Sequence, residues 1–268
     1  MNAQSNDVSD WWRTSIIDME PGRIDIRGRP VQQIIGRFSF PQMIWFMATG
    51  RELSAERAML FEAALVAAVD HGPQAPSIAI ARMAMTCGVD INNAMASGIN
   101  VLGDVHGGAG EQAVELYNSI DERAGEDDSL DDAVADRIAA WQRERDPYVP
   151  GFGHRFHKPT DPRAPRLLGL VDEAAAEGHV SGRYAAIGRA IERLLADRKG
   201  KPVPMNIDGA TAVIFGELGC PPKLARGFFC LSRGVGILAH AWEQSRQGGR
   251  NKGPTPPRYR WTYDASTD

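Results

Sequence analysis

Only three cysteines occur in the 268 residues, at positions 87, 220 and 230, and no two are spaced as CxxC. An odd count without that spacing excludes a disulfide framework and a cysteine-based zinc module. Cys87, Cys220 and Cys230 lie in apolar surroundings and read as reduced, buried thiols of a reducing, cytoplasmic compartment. No apolar run is long enough for a membrane span. The opening MNAQSNDVSDWW has neither a basic segment nor an apolar core, so no signal peptide is visible. Charge of one sign is not in excess: the net charge of −4 provides no whole-molecule attraction for nucleic acid or an acidic membrane. Also missing are a convincing period-2 strand series, an internal repeat and a low-complexity linker. The histidines show no HxxxH-type pairing, and the cysteines are not near them in sequence, so a zinc site is not expected.

What is present is helical periodicity, which makes the fold class all-α. Ser39-Phe40-Pro41 begins one helix and Ser54-Ala55-Glu56-Arg57 another, the second ending at Asp70-His71-Gly72-Pro73. Residues 77–87 and 92–102 are rich in Ala, Met and Ile, and Ala94, Ala96, Ser97 and Gly98 form a small-residue face that permits close helix packing. Ala113, Val114, Leu116 and Tyr117 recur at helical spacing after a glycine-rich turn, and 130–145, 164–177, 183–198, 207–218 and 222–245 complete the set. Trp11 and Trp12 are expected to pack onto the body, Arg23 to Pro30 to form a small hairpin, and the tail beyond Gly248 to be extended.

Three segments carry chemistry. In GFGHRFHKPTDPR, residues 151–163, a Gly-aromatic-Gly turn presents His154, and the Asp161-Pro162-Arg163 turn sets Arg163. An imidazole that moves a proton and a guanidinium that grips a carboxylate suit a small polycarboxylate. The second segment is Asp104-Val105-His106-Gly107-Gly108-Ala109-Gly110, and the third is Met205-Asn206-Ile207-Asp208-Gly209-Ala210. Each sets a titratable group beside glycines, where backbone can approach a ligand. Each also has a blander role: His106 as a helix cap, His71 as a helix-terminal histidine, and Asp208 as the N-cap of the helix that follows. Arg233 lies inside an apolar helix, where an unpaired charge is costly and calls for a carboxylate of substrate or protein. His157, His179 and His240 read as structural or solvated, His240 as a satisfied core histidine.

These motifs, in this order from about Asp70 to Gly249, resemble the citrate synthase family. The resemblance makes His106, His154 and Asp208 the catalytic residues, and His71, Arg163 and Arg233 the substrate-binding ones. It assigns contacts with the coenzyme A thioester to Pro150, Gly151, Phe152, Gly153 and Arg155. It implies a large helical domain, 1–150 with 205–268, and a small one, 151–204, closing over the thioester. The chain reads as a version trimmed at its N-terminus. A homodimer is implied, its interface expected at the small-residue helices near 92–102 and 207–218. The ligands are an acyl-CoA and a small polycarboxylate, with no permanently bound cofactor and no metal. Asp70-His71-Gly72-Pro73 and Asn206-Ile207-Asp208-Gly209 look more like citryl-CoA lyase, including the lyase module of ATP-citrate lyase, than like common citrate synthases. The family's C-terminal arginine falls near Gly253, with Arg250, Lys252 or Arg258 as substitutes. The expected activity is cleavage of citryl-CoA to acetyl-CoA and oxaloacetate. A citrate or 2-methylcitrate synthase and a non-catalytic CoA-binding homologue are the alternatives.

Overall fold

The computed structural model describes residues 8–125, 129–154 and 157–265. The chain divides into two units, residues 1–59 and 60–268. In the first, a 3-10 helix, Val8–Trp12, precedes three antiparallel strands in the order β1 (Ile17–Glu20), β2 (Arg23–Ile26) and β3 (Arg29–Pro30). The expected hairpin is thus the second half of a three-stranded sheet. Its first strand, Ile-Asp-Met-Glu, alternates apolar and polar residues but is only four residues long and exposed along its whole length. Arg23 fixes the register by binding Asp18, 2.7 Å away, and Asp25. Trp11 and Trp12 do not pack onto the body as expected; both are exposed. α1 (Val31–Ile34) and α2 (Phe40–Thr49) follow. Ser39 caps α2 through a reciprocal pair of hydrogen bonds with Gln42, and Gly50 ends it in the left-handed region.

α3 (Ala55–Ala68) starts where Ser54 Oγ accepts from the Arg57 amide. The second unit continues with α4 (Pro76–Thr86), α5 (Ile91–Asn100), α6 (Ala109–Ala124), α7 (Leu130–Glu144), α8 (Arg163–Ala176), α9 (Arg183–Lys199), α10 (Ile207–Glu217) and α11 (Pro222–Gln247). α10 is the central helix. Every residue from Gly209 to Glu217 is buried, against α6, α8 and α9. Glu217 closes its end by accepting from the Ser181, Gly182 and Tyr184 amides and the Ser181 hydroxyl, which satisfies the N-terminus of α9. α4, α5 and α11 form a second layer around Ile78, Ala81, Ala94, Ile237 and Ala241. Gly98 lets α5 approach α4 and α11, since a Cβ there would lie 2.7 Å from Ser77 O.

Two expectations change here. The small-residue helix α10 has no face left for a partner subunit, because its small residues serve packing inside the chain. Of the thiols, Cys220 is buried, Cys230 half-buried and Cys87 exposed at the end of α4. No described helix is long and apolar enough to cross a membrane.

Candidate active site

The turn that carries His154 is stapled to the helix that carries Asp208. The Asn206 amide donates to Gly151 O at 2.9 Å and the Gly153 amide to Pro204 O at 2.7 Å. Asn206 Nδ2 donates to Gly153 O at 2.8 Å, while its Oδ1 accepts from the amides of Asp208 and Gly209. Asn206 is therefore the N-cap of α10, and Asp208 sits in the first turn with its carboxylate free of capping duty. The crossing requires two glycines. Gly151 has φ +85°, and a Cβ there would lie 2.6 Å from Gly209 Cα; a Cβ on Gly209 would run into Gly151 O. Gly209 thus has a packing role of its own, beyond any bearing on reaction direction. Gly209→Ala is expected to lower stability by about 1–3 kcal/mol through overpacking. It should lower activity further by displacing the 151–153 turn. Thermal melts alongside turnover check this, and unchanged activity would show the turn to be uncoupled.

Asp208 lies at the floor of a cavity of about 1390 Å³ lined also by His71, His106, His154, Phe229 and Arg233. Burial pushes its pKa above the usual carboxylate value, and Asp161 adds to this, against the pull of Arg233 and Arg163. Arg233 is 5% exposed and donates from Nε to Ala68 O at 3.2 Å. Its guanidinium lies 4.9 Å from the centre of the Phe229 ring. Burial lowers the Arg233 pKa, while Asp208 and Asp70 work the other way. Arg163 differs from expectation. Its Nε and Nη2 are engaged side-on by the fully buried Asp161, at 3.0 and 2.8 Å, and Asp161 also accepts its amide. The Asp-Pro-Arg turn brings its own carboxylate to the fork. The charge of Arg163 is felt by Asp208 and His71.

Hydrogen bonds define the tautomers of His106 and His154. The Ser77 amide donates to His106 Nε2 at 3.2 Å, with Ser77 Oγ at 3.0 Å. An amide only donates, so Nε2 is the acceptor and Nδ1 carries the proton. The amide belongs to the first turn of α4, whose positive end disfavours a charged ring. Burial and Arg233 lower the His106 pKa in the same sense. His154 Nδ1 accepts the His157 amide at 3.0 Å, so its Nε2 carries the proton and donates. The ring of His71 stands edge-on to that of His154 at 5.7 Å, and its pKa is lowered by burial, Arg233, Arg163 and His154 against Asp70.

Of the expected thioester contacts, Phe152 and Gly153 line the cavity, Pro150 and Gly151 are buried beside it, and Arg155 lies outside the described residues. Arg250, Lys252 and Arg258 are exposed, and none lines the cavity. Sequence reasoning missed Ser77, which binds His106, and it missed Asn206 and the exposed lysines 158, 199 and 201, which line the cavity. The Lys199-Gly200-Lys201-Pro202 run was a usable signal for the last two. No group of three or more His, Cys, Asp or Glu that could hold a metal occurs among the described residues.

Imidazoles, a carboxyl of raised pKa and a buried guanidinium thus surround one cavity. The chain belongs to the citrate synthase family: the model of the citrate synthase C-terminal domain matches residues 46–255. It is 30% identical over 224 residues to the citrate synthase of Haloferax volcanii, covering 83% of this chain and 55% of that protein. With the citrate synthase of Deinococcus radiodurans the identity is 30% over 203 residues, 75% of this chain and 51% of that one. The chain thus spans about half the length of the curated relatives it matches. The citryl-CoA lyase structure from Hydrogenobacter thermophilus superposes with a TM-score of 0.82 at 28% identity, covering 96% of both chains. An ATP citrate lyase of Methanosaeta concilii solved with (3S)-citryl-CoA shares the fold, with a TM-score of 0.78 at 19% identity over 99% of this chain and 43% of that one.

Proposed function

We propose that the protein is a citryl-CoA lyase, cleaving citryl-CoA to acetyl-CoA and oxaloacetate. The observation that carries this reading is the closeness of the fold to a citryl-CoA lyase, with a TM-score of 0.82 over 96% of this chain, against 0.65 over 86% of it for a citrate synthase structure. The site supports it chemically. Cleavage removes the proton of the tertiary hydroxyl, breaks the carbon–carbon bond with the electron pair moving onto the thioester, and returns a proton to the resulting enol carbon. A carboxyl whose pKa burial raises gives up a proton less readily and is suited to that last step, the role assigned to Asp208. Neutral His106, its Nδ1–H available, stabilises charge on the thioester oxygen; one such donor is typically worth ~3 kcal/mol. His154 receives the hydroxyl proton at Nε2, which requires the tautomer with Nδ1–H and so release of the His157 amide. The conformation in the structure is the donor form, suited to the keto oxygen of oxaloacetate. Arg233 and His71 hold carboxylates, and Lys158, Lys199 and Lys201 face the phosphates of coenzyme A. Residues 151–204 act as the lobe that closes over the thioester. Three cysteines that form no disulfide among the described residues fit a cytoplasmic setting.

Acetyl-CoA offered with oxaloacetate tests the direction. Release of free thiol and citrate at typical enzymic turnover, ~10 per second, would establish the synthase alternative instead. The homodimer proposal now rests on α11, whose exposed Leu231, Val235, Leu238 and Trp242 form one stripe. Light scattering at micromolar concentration should give a dimer, and Val235→Glu with Leu238→Glu a monomer. A monomeric wild-type chain would contradict it.

A further inference from the structure

α11 grips the strand of chain that leads into His71 at three successive turns. Arg233 Nε donates to Ala68 O at 3.2 Å. One turn on, Gly236 lies so close to Val69 O that any Cβ would collide with it. One turn further, His240 Nε2 is 3.2 Å from Asp70 Oδ1. The other ring nitrogen, Nδ1, is 3.0 Å from Arg82 Nη1 of α4. Arginine only donates, so Nδ1 accepts and the ring proton resides on Nε2, aimed at Asp70. Arg82 is itself anchored, by Glu243 at 2.6 Å and Gln247 at 2.7 Å. Asp70 Oδ1 in turn accepts the Gly72 amide at 3.3 Å, which closes the turn that has His71 at its apex. His71 lines the cavity.

We propose that His240 is a positioning residue: an Arg82–His240–Asp70 relay fixes the 70–72 turn and so holds His71 at the dicarboxylate end of the cavity. A helix face with an imidazole whose two nitrogens are both engaged, one by a cation and one by a carboxylate, does more than fill the core. The relay orients Asp70, and Asp70 orients the turn. The inference rests on the reading of His71 as a substrate contact.

The relay makes the two ring nitrogens unequal, and amide side chains separate them. The amide of His240→Gln reaches the Nε2 position and donates to Asp70. That of His240→Asn ends near Nδ1 and meets only Arg82. Oxaloacetate and coenzyme A are titrated calorimetrically into wild type and the Gln, Asn and Leu variants. Oxaloacetate affinity should fall about 10-fold or more in Asn and Leu, the scale of one charge-assisted hydrogen bond, and stay near wild type in Gln. Coenzyme A affinity should hold within about 2-fold throughout, since its contacts do not pass through the relay. Equal losses in Gln and Asn, or parallel losses for both ligands, would overturn the relay. Should His240→Leu fail to fold, Asp70→Ala removes the acceptor at a partly exposed position and must show the same selective loss; a folded Asp70→Ala with wild-type affinity overturns the proposal. A wild-type protein that binds no oxaloacetate would refute the functional reading instead. The relay is then read from the 15N spectrum of the His71 ring, which should move in Asn and Leu but not in Gln, and an unmoved signal in all three overturns it.

Discussion

Asp208→Asn is expected to lower solvent exchange of the acetyl-CoA methyl protons, measured with oxaloacetate present, by about 10²–10⁴-fold, the usual weight of a positioned acid–base group. The amide keeps the shape but can neither give nor take the proton. The fold gives this substitution a clean control. Asn206, not Asp208, caps α10, so no capping bond is lost. Burial raises the Asp208 pKa, so the folded state holds its proton at pH values where the unfolded chain has released it. Stability therefore falls as pH rises from the ordinary carboxylate range through the raised native value, and above that the ionised group is a standing cost. A neutral amide escapes that cost. The melting temperature of Asp208→Asn at neutral pH should equal or exceed that of wild type while exchange collapses. Exchange at the wild-type rate would reduce Asp208 to a packing residue.

Arg233→Met should weaken binding of oxaloacetate and citryl-CoA by roughly 30- to several-thousand-fold, the equivalent of about 2–5 kcal/mol for truncating one partner of a buried charge pair. Arg233 is nearly inaccessible to solvent, is tethered by the Ala68 carbonyl, and shares its field with Asp208. Its charge is left for a ligand carboxylate. Arg163→Ala should behave differently, because it strips the buried Asp161 of its bidentate partner. Asp161 has its pKa held down: burial alone would raise it, but the Arg163 hydrogen bonds outweigh this. Removing that cation unsettles the 161–163 turn, so Arg163→Ala should melt lower as well as bind less tightly. Calorimetric titration with parallel melts separates the two arginines, and equal stability losses would show that Arg233 is structural too.

Much of the helical framework was legible because apolar spacing and capping residues agree with the packing that follows. Ser39 and Ser54 mark helix starts, the 70–73 turn marks an end, and α4 to α11 fall within a few residues of their expected spans where those were given. The three-stranded sheet was only half legible, since its strands are short and its first is exposed on both faces. Trp11 and Trp12 looked like core by type alone, yet lie exposed. In the site, sequence order and glycine punctuation brought out His71, His106, His154, Asp208 and Arg233, which the fold gathers around one cavity. Sequence did not reveal which ring nitrogen of each histidine is engaged. That depends on amides brought in from α4 and from residue 157. Nor did it distinguish Arg163, paired within its own turn, from Arg233, since both look alike as arginines near loops and helices. Gly209 looked like a mark of reaction direction, and only the crossing with Gly151 shows its steric necessity.

Citryl-CoA mixed with excess enzyme in deuterium oxide tests the central claim most directly, with all products followed in one turnover. Cleavage predicts oxaloacetate and acetyl-CoA in equal amounts, one deuterium in the new methyl group, and no free thiol. Citrate and free coenzyme A, formed by hydrolysis of the thioester with the carbon–carbon bond intact, would contradict it.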